Sequence, residues 1–409
     1  MYSDIHRSVE DLLKAHGKPE REVYFDLENS GLILPEALEA MVKAYGEIGI
    51  GHPSITHRKG WESYEALYKS SSTIARFIGC KPENIVYTHS GTEANNLAIL
   101  GSAKGSKSGK RKIVVSSIEH LSVVFPAESL QQYGFKIVKI PVDSEGFLDL
   151  DILEKVIDKE TLMVSIAPVN HEIGVIQYMD AIVDIVRDGC EDIVIHIDAC
   201  DTLGRVAVDL GKLDIDLASF SSHKVYGPKG AGILYVKDGI QLEPIIYGQL
   251  STQKLWPGVE NIPSIVGFAK AVEIVCSTMD AYTQHMARLR DKLIDNIVGS
   301  VDGAILNGPK GSKRSPDNIN ISFLHCEGEA LTVELSLRGV YVSSGSACTS
   351  RVLEPSHVLL AIGRRFEEAH GSILMKLHPM HTDSDIEYTL KHIIEAVSRI
   401  RSISPSRHV

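Results

Sequence analysis

The chain has 409 residues, 44% of them apolar, and its 42 basic and 53 acidic side chains give a formal net charge of −11. A chain of that size buries a large core and divides into two domains, at roughly 150 residues per domain. Its acidity disfavours nonspecific nucleic acid and anionic membranes as partners, and no apolar run reaches the ~18 residues that crossing a bilayer needs.

The opening Met1-Tyr2-Ser3-Asp4-Ile5-His6-Arg7 lacks the basic-then-apolar layout of a secretory signal, so a cytoplasmic protein is expected. Ile5, Val9, Leu12 and Leu13 stand at helical spacing and predict a helix in the first twenty residues. From Arg21 to about Asn261, short β-branched runs alternate with helical ones. The strand candidates are Asn84 to Thr88, Lys112 to Ser116, Leu162 to Ile166, Ile193 to Ile197, Leu217 to Phe220 and Gly232 to Val236. Helical stretches separate most of them, which predicts an α/β fold with a doubly wound, mainly parallel sheet. Beyond Pro263 the helical share rises. A periodic segment from Met286 to Val298, strands at Ile319 to Phe323 and Gly339 to Val342, and a helix over Ile386 to Ile400 predict a second, smaller α/β domain. The expected boundaries are 21–262 for the larger domain, and 1–20 plus 263–409 for the smaller.

The six cysteines, Cys80, Cys190, Cys200, Cys276, Cys326 and Cys348, form no C-x-x-C pair and no disulfide-like framework, which fits a reducing compartment. No metal site is expected, because the seventeen histidines include no H-E-x-x-H pair. Five of the thiols read as small buried apolar side chains. Cys348 differs: Val342-Ser343-Ser344-Gly345-Ser346-Ala347-Cys348-Thr349-Ser350 has the small polar composition of a loop. It is either a reactive thiol or a chance one in a serine-rich segment.

Chemistry concentrates in the larger domain. Ser221-Ser222-His223-Lys224-Val225-Tyr226-Gly227-Pro228 follows Asp198 of Ile195-His196-Ile197-Asp198-Ala199. A lysine that condenses with an aldehyde must shed its proton near neutrality, which partial desolvation and a neighbouring cationic centre favour. Pyridoxal phosphate (PLP) provides such a centre, and an aspartate opposite its ring nitrogen keeps that nitrogen protonated. Just after the first strand of the sheet, His89-Ser90-Gly91-Thr92-Glu93 turns into a helix. The free N–H groups at Gly91 and Thr92, with a hydroxyl, suit a phosphate; the same residues also read as an ordinary N-cap. His120 stands at the carboxyl edge of the same sheet, where it could stack on a ring; alone it reads equally well as a surface histidine.

These motifs together resemble the cysteine desulfurases of the class V, fold-type I PLP enzymes, and among them the iron–sulfur cluster assembly group. The resemblance rests on the setting of Cys348, on His223-Lys224, on Asn170-His171-Glu172-Ile173-Gly174, on Glu354-Pro355-Ser356-His357 and on Gly328-Glu329, and it runs from Tyr24 to Pro405. It implies that Lys224 holds PLP and later moves the proton of the substrate's α-carbon. Asp198 would face the ring nitrogen, and His120 would stack on the ring and exchange protons. Thr92, Ser221 and His223 would hold the phosphate. The thiolate of Cys348 would take sulfur from L-cysteine as a persulfide, release alanine and pass the sulfur to an acceptor or scaffold protein. Cys348 as a cluster ligand in such a complex is a further implication. A homodimer is implied too, since fold-type I sites are built from two subunits.

Several positions depart from the family pattern. Asn170-His171-Glu172 stands for Asn-Asn-Glu, and Asp198-Ala199-Cys200-Asp201 for Asp-Ala-Thr-Gln, so two neutral amides near the ring oxygen have become His171 and Asp201, which are expected to compensate each other. Leu374 replaces the arginine that clamps the substrate carboxylate, and Trp256-Pro257-Gly258-Val259 replaces Arg-Ser-Gly-Thr. Three readings follow. The first is a desulfurase whose carboxylate contact has moved to Arg351, Arg364, Arg365 or Lys376. The second is a diverged class V aminotransferase or lyase with a pocket rebuilt at His171, Asp201, Leu374 and Trp256, acting on another amine or sulfur compound. The third, a persulfide carrier or assembly subunit without turnover, leaves Lys224, Asp198 and His120 without a purpose.

Overall fold

The computed structural model describes residues 11, 14–15, 17–249, 252–344 and 355–403. Ile5, Val9, Leu12 and Leu13, on which the first helix was expected, lie outside them, as does Cys348 with its neighbours 345–354.

The chain separates into two compact units, Ser30–Tyr282 and Met1–Asn29 with Thr283–Val409. Strand β1 (Val23–Tyr24) belongs to the second of these. In the first, β2 (Ile85–Thr88), β3 (Lys112–Ser116), β4 (Lys136–Ile140), β5 (Thr161–Ser165), β6 (Val194–Asp198), β7 (Leu217–Ser221) and β8 (Gly232–Val236) form a seven-stranded sheet in the order β2-β8-β7-β6-β5-β3-β4. The pairings β4 with β3, β3 with β5, β5 with β6 and β6 with β7 are parallel. Strand β8 runs antiparallel to both of its neighbours. The mainly parallel sheet is therefore as expected from the alternating pattern. Strand β4 escaped that pattern because it is an edge: Lys136 and Lys139 are exposed on it, as edge strands favour.

Helices cover both faces. On one, α1 (Pro35–Lys43), α2 (Arg58–Ile78), α5 (Met179–Gly189) and α6 (Ile262–Ser277) accompany a core that includes Ile74, Val164, Ile195, Phe220 and Phe268; on the other, α3 (Gly91–Gly105) and α4 (Leu121–Ser129) close a core of Leu97, Ile113, Val123, Met163 and Leu234. Buried on both faces, the central strands carry near-continuous apolar runs rather than alternation.

In the second unit, β9 (Ala304–Leu306), β10 (Asn318–Phe323), β12 (Ser343–Ser344) and β13 (Ser372–Lys376) form an antiparallel sheet in the order β12-β13-β10-β9, and β11 (Val340–Tyr341) pairs in parallel with β1. The division thus differs from the expected boundaries at 20/21 and 262/263. Two packing facts account for it. Strand β1 takes its ladder from β11, which draws residues up to Asn29 into the smaller unit. Helix α6 buries Ile262, Ile265, Phe268 and Val272 and packs on α1 and α2, which holds it in the larger one.

Candidate functional site

The larger sheet gathers its chemistry at one edge. Strands β2, β3, β5, β6 and β7 run the same way, and just past or at their carboxyl ends stand Gly91 and Thr92, His120, His171, Asp198, and Ser221 with Lys224. This is the edge at which open α/β sheets bind ligands.

Lys224 sits in a single 3-10 turn, Ser222–Val225, directly after β7. Its Nζ donates to Asp201 Oδ2 at 3.3 Å, and the two residues are only 8% and 5% exposed. The turn is held from behind: Arg205 Nη1 donates to the Lys224 carbonyl at 2.9 Å, its guanidinium carbon lies 5.8 Å from the centroid of Tyr226, and Tyr226 itself adopts the left-handed region at φ 61°. A non-glycine residue there is costly unless its surroundings over-determine it. Gly31 approaches from the front; a Cβ on it would fall 1.9 Å from the His223 carbonyl oxygen.

Asp198 ends β6, 7% exposed, with both oxygens committed: Oδ1 accepts from the Cys200 backbone N–H at 3.1 Å and Oδ2 from Asn95 Nδ2 at 2.7 Å. The same Asn95 amide donates to Ser122 Oγ at 2.8 Å, and Ser122 Oγ lies 2.7 Å from His120 Nδ1. The Ser122 backbone N–H also donates to His120 Nδ1, at 3.1 Å, because His120 is the N-cap of α4. An imidazole nitrogen that accepts an N–H carries no proton, so this cap selects the tautomer protonated at Nε2. The His120 ring meets His171 edge-on, with centroids 4.9 Å apart and planes at 83°.

At the start of α3, Ser90 is the cap, its Oγ accepting from the Glu93 N–H at 3.2 Å. The N-cap reading is therefore right for Ser90. The N–H groups of Gly91 and Thr92 lie outside the intrahelical ladder, as at any helix start, and Thr92 is exposed beside them. Ser221 Oγ and His223 Nδ1 are 2.9 Å apart. A Cβ on Gly91 would fall 2.5 Å from Cys200 Sγ and 3.2 Å from Ser221 Cβ, so only glycine lets this helix start come so close to the ends of β6 and β7. Burial pushes the Cys200 thiol well above its ordinary range; Asp198 and Asp201 push the same way and Lys224 partly offsets them. Cys200 is accordingly inert, buried beside the three charges.

These residues fit PLP. A sealed lysine amine, a carboxylate oriented by two donors, a helix start with a hydroxyl, and a serine–histidine pair match its aldehyde, ring nitrogen and phosphate. Asn95, Ser122, Arg205 and Glu119, which brace them, were missed in the sequence. Only Asn95, one turn beyond Gly91, and Ser122, two residues past His120, carried a positional signal.

Three of the four cations considered for a substrate carboxylate are committed within their own unit. Lys376, 2% exposed, has Nζ 2.5 Å from Glu28 Oε2. Arg364 donates from Nε to Asn307 Oδ1 and from Nη2 to the Leu306 carbonyl, and Arg365 pairs with Glu368. These contacts argue against a relocated clamp at any of the three; Arg351 lies outside the described residues. Trp256 is buried in the core beneath α3 and also lines a small cavity with Tyr87, His89 and Gln253, while Val259 is 66% exposed.

Comparison with known proteins agrees with this geometry. Residues 23–388 match the Aminotransferase class-V family. Cysteine desulfurase IscS 1 of Archaeoglobus fulgidus is 39% identical over 382 residues, covering 93% of this chain and 98% of that protein. Among solved structures, a NifS-like protein superposes with a TM-score of 0.86 at 34% identity, covering 93% of this chain and 100% of its own. SspA in complex with cysteine gives 0.74 at 29%, covering 88% and 99%.

Proposed function

We propose, for a chain that belongs to the class-V aminotransferase family and to its cysteine desulfurases, that it moves sulfur from L-cysteine to its own Cys348 and releases alanine. The observation that carries this reading is the convergence of Lys224, Asp201, Asp198 and His120 at one sheet edge, four groups that a mere carrier has no need to hold in register.

When bound, PLP supplies an aldehyde for amine condensation and a ring that withdraws electrons. The chain's own residues do the rest. Thr92, the start of α3, Ser221 and His223 would hold the phosphate; Asp198, fixed by Asn95 and the Cys200 N–H, would present its carboxylate to the ring nitrogen. Lys224 would anchor the cofactor and serve as the base for the proton on the substrate's α-carbon, while Arg205 keeps its turn in place. His120 would meet the ring, with Nε2–H as its donor. The Cys348 thiolate attacks the substrate sulfur, so that one thiol and one cysteine become a persulfide and alanine, with no external oxidant. The persulfide sulfur then passes to a thiol of an acceptor or scaffold protein.

A homodimer is part of the proposal. Trp61, Tyr64 and Tyr68 form an exposed aromatic stripe at three- and four-residue spacing along α2, Val42 and Tyr45 are exposed as well, and such a stripe is the kind that a second copy covers. The commitment of Lys376, Arg364 and Arg365 also favours a substrate site with a weak hold on carboxylate, and hence a high KM for cysteine.

The test is direct. Purified protein should show a visible cofactor band that Lys224→Ala abolishes, and alanine release from L-cysteine that both Lys224→Ala and Cys348→Ala abolish. Alanine release unaffected by Cys348→Ala would overturn the persulfide step.

A further inference from the structure

We propose that Glu119 is a positioning residue, a strut between the loop after β3 and the loop after β5 that fixes His120 and His171 against each other. Glu119 is 1% exposed and lies one residue before His120. Its Oε1 accepts the Ala167 N–H at 3.0 Å, across to the neighbouring loop. One residue earlier, the Ile118 carbonyl accepts Asn170 Nδ2 at 2.7 Å, while Asn170 Oδ1 accepts the N–H groups of Glu172 at 3.0 Å and Ile173 at 2.8 Å and so shapes the turn that presents His171. Two cross-links between two loops thus stand directly before the two imidazoles, whose ring centroids are 4.9 Å apart.

A carboxyl group can hold this strut in either protonation state, since both forms accept an N–H and the charged one accepts it more strongly. Burial, partly offset by the Ala167 N–H and aided by the nearby Asp198 charge, pushes Glu119 up to about 8, which favours its neutral form near neutrality. Its carbonyl oxygen then accepts the Ala167 N–H as a glutamine amide oxygen would. Glu119 acts on the reaction through His120 and His171, and its catalytic consequence rests on the cofactor reading; the strut itself does not.

The experiment compares Glu119→Gln with Glu119→Ala in cofactor-free protein, by hydrogen exchange at Ala167 and by the imidazole resonances of His120 and His171. Glu119→Gln should leave exchange and resonances as in the wild type. Glu119→Ala should speed Ala167 exchange by about tenfold, the scale of one lost hydrogen bond, and shift both rings. Unchanged exchange in Glu119→Ala, or a Glu119→Gln variant as disturbed as the alanine one, would overturn the strut. If Glu119→Ala does not fold, Glu119→Gln alone decides by the same two readouts. A PLP titration then reads the consequence: rescue of binding by Gln but not Ala ties the strut to the cofactor. Loss of the Lys224 adduct in the wild type would sink the functional reading while leaving the strut standing.

Discussion

The Lys224 ammonium lies 3.3 Å from the Asp201 carboxylate in a pocket that admits almost no water to either. An acid at this place stabilises the charged amine, whereas condensation with an aldehyde needs the neutral one. The family's glutamine would have no such effect, so the pair is expected to slow cofactor loading where the amide would not.

Asp201→Gln should release that brake. At pH 7, borohydride-trapped pyridoxyl adduct on Lys224 should form faster, by about an order of magnitude, the effect of removing one opposite charge within a few ångströms. The pH at which the visible band of the loaded protein changes should move as well. Mass spectrometry of the trapped adduct and a spectral titration measure the two, and an unchanged rate with an unchanged spectrum would dismiss the pair as incidental.

Two buried groups set opposite pH slopes on stability. Glu119 rises from its ordinary 4.5 to about 8, so between those values the unfolded chain is ionised and the native one is not; this contribution is fully present below 4.5 and lost as pH rises through 8. His196, between Ser165 Oγ and Ser219 Oγ, is pushed down to about 4 by burial from 6.5; here the unfolded chain binds the extra proton, and stability is lost as pH falls from 6.5 towards 4. Glu119→Gln should therefore gain stability relative to wild type as pH rises from 5 to 8, and His196→Gln should gain as pH falls from 6.5 to 4.5. Denaturant midpoints across that range check both, and parallel curves would contradict both shifts.

Gly31→Ala should damage cofactor binding without touching a cofactor contact. The added methyl would meet the His223 carbonyl at 1.9 Å, far inside contact distance, so the turn carrying Lys224 must move. Forced overpacking typically costs 1–3 kcal/mol, here about 2 kcal/mol, and should weaken PLP binding by at least tenfold. Equilibrium dialysis and a melting curve separate the two effects.

What the sequence disclosed and what it withheld have separable causes. The strands of the large sheet other than its edge strand β4 declared themselves because burial on both faces demands β-branched runs, and Lys224, Asp198, His120 and Thr92 end or follow those strands within a few residues, where local order suffices. The bracing residues did not declare themselves. Asn95 reaches Asp198 across 103 positions and Glu119 reaches Ala167 across 48, and even where a side chain such as Asn95 stands one turn past a motif, nothing local discloses its partner. Lys376 misled for the same reason: its cation looked available until Glu28, remote in sequence, was seen beside it. Trp256 showed in the sequence as a replacement of arginine, while its burial against the core did not show there.

Substrate selectivity gives the last prediction. Leu374 occupies the position where the family resemblance places a carboxylate-binding arginine; it is 4% exposed on β13, opposite Asn320 and Ser343. With no guanidinium there, and with Lys376 two residues on already committed to Glu28, a substrate carboxylate gains little. L-cysteine and cysteamine, which lacks only that carboxylate, should therefore bind within about tenfold of each other, whereas a bidentate arginine clamp would separate them by about two orders of magnitude. Leu374→Arg should lower KM for cysteine and leave cysteamine binding unchanged, at some loss of thermal stability because a charge enters a buried strand. Spectral titration of the loaded protein with both compounds measures this. A wild-type preference for cysteine of a hundredfold or more would show that another cation binds the carboxylate.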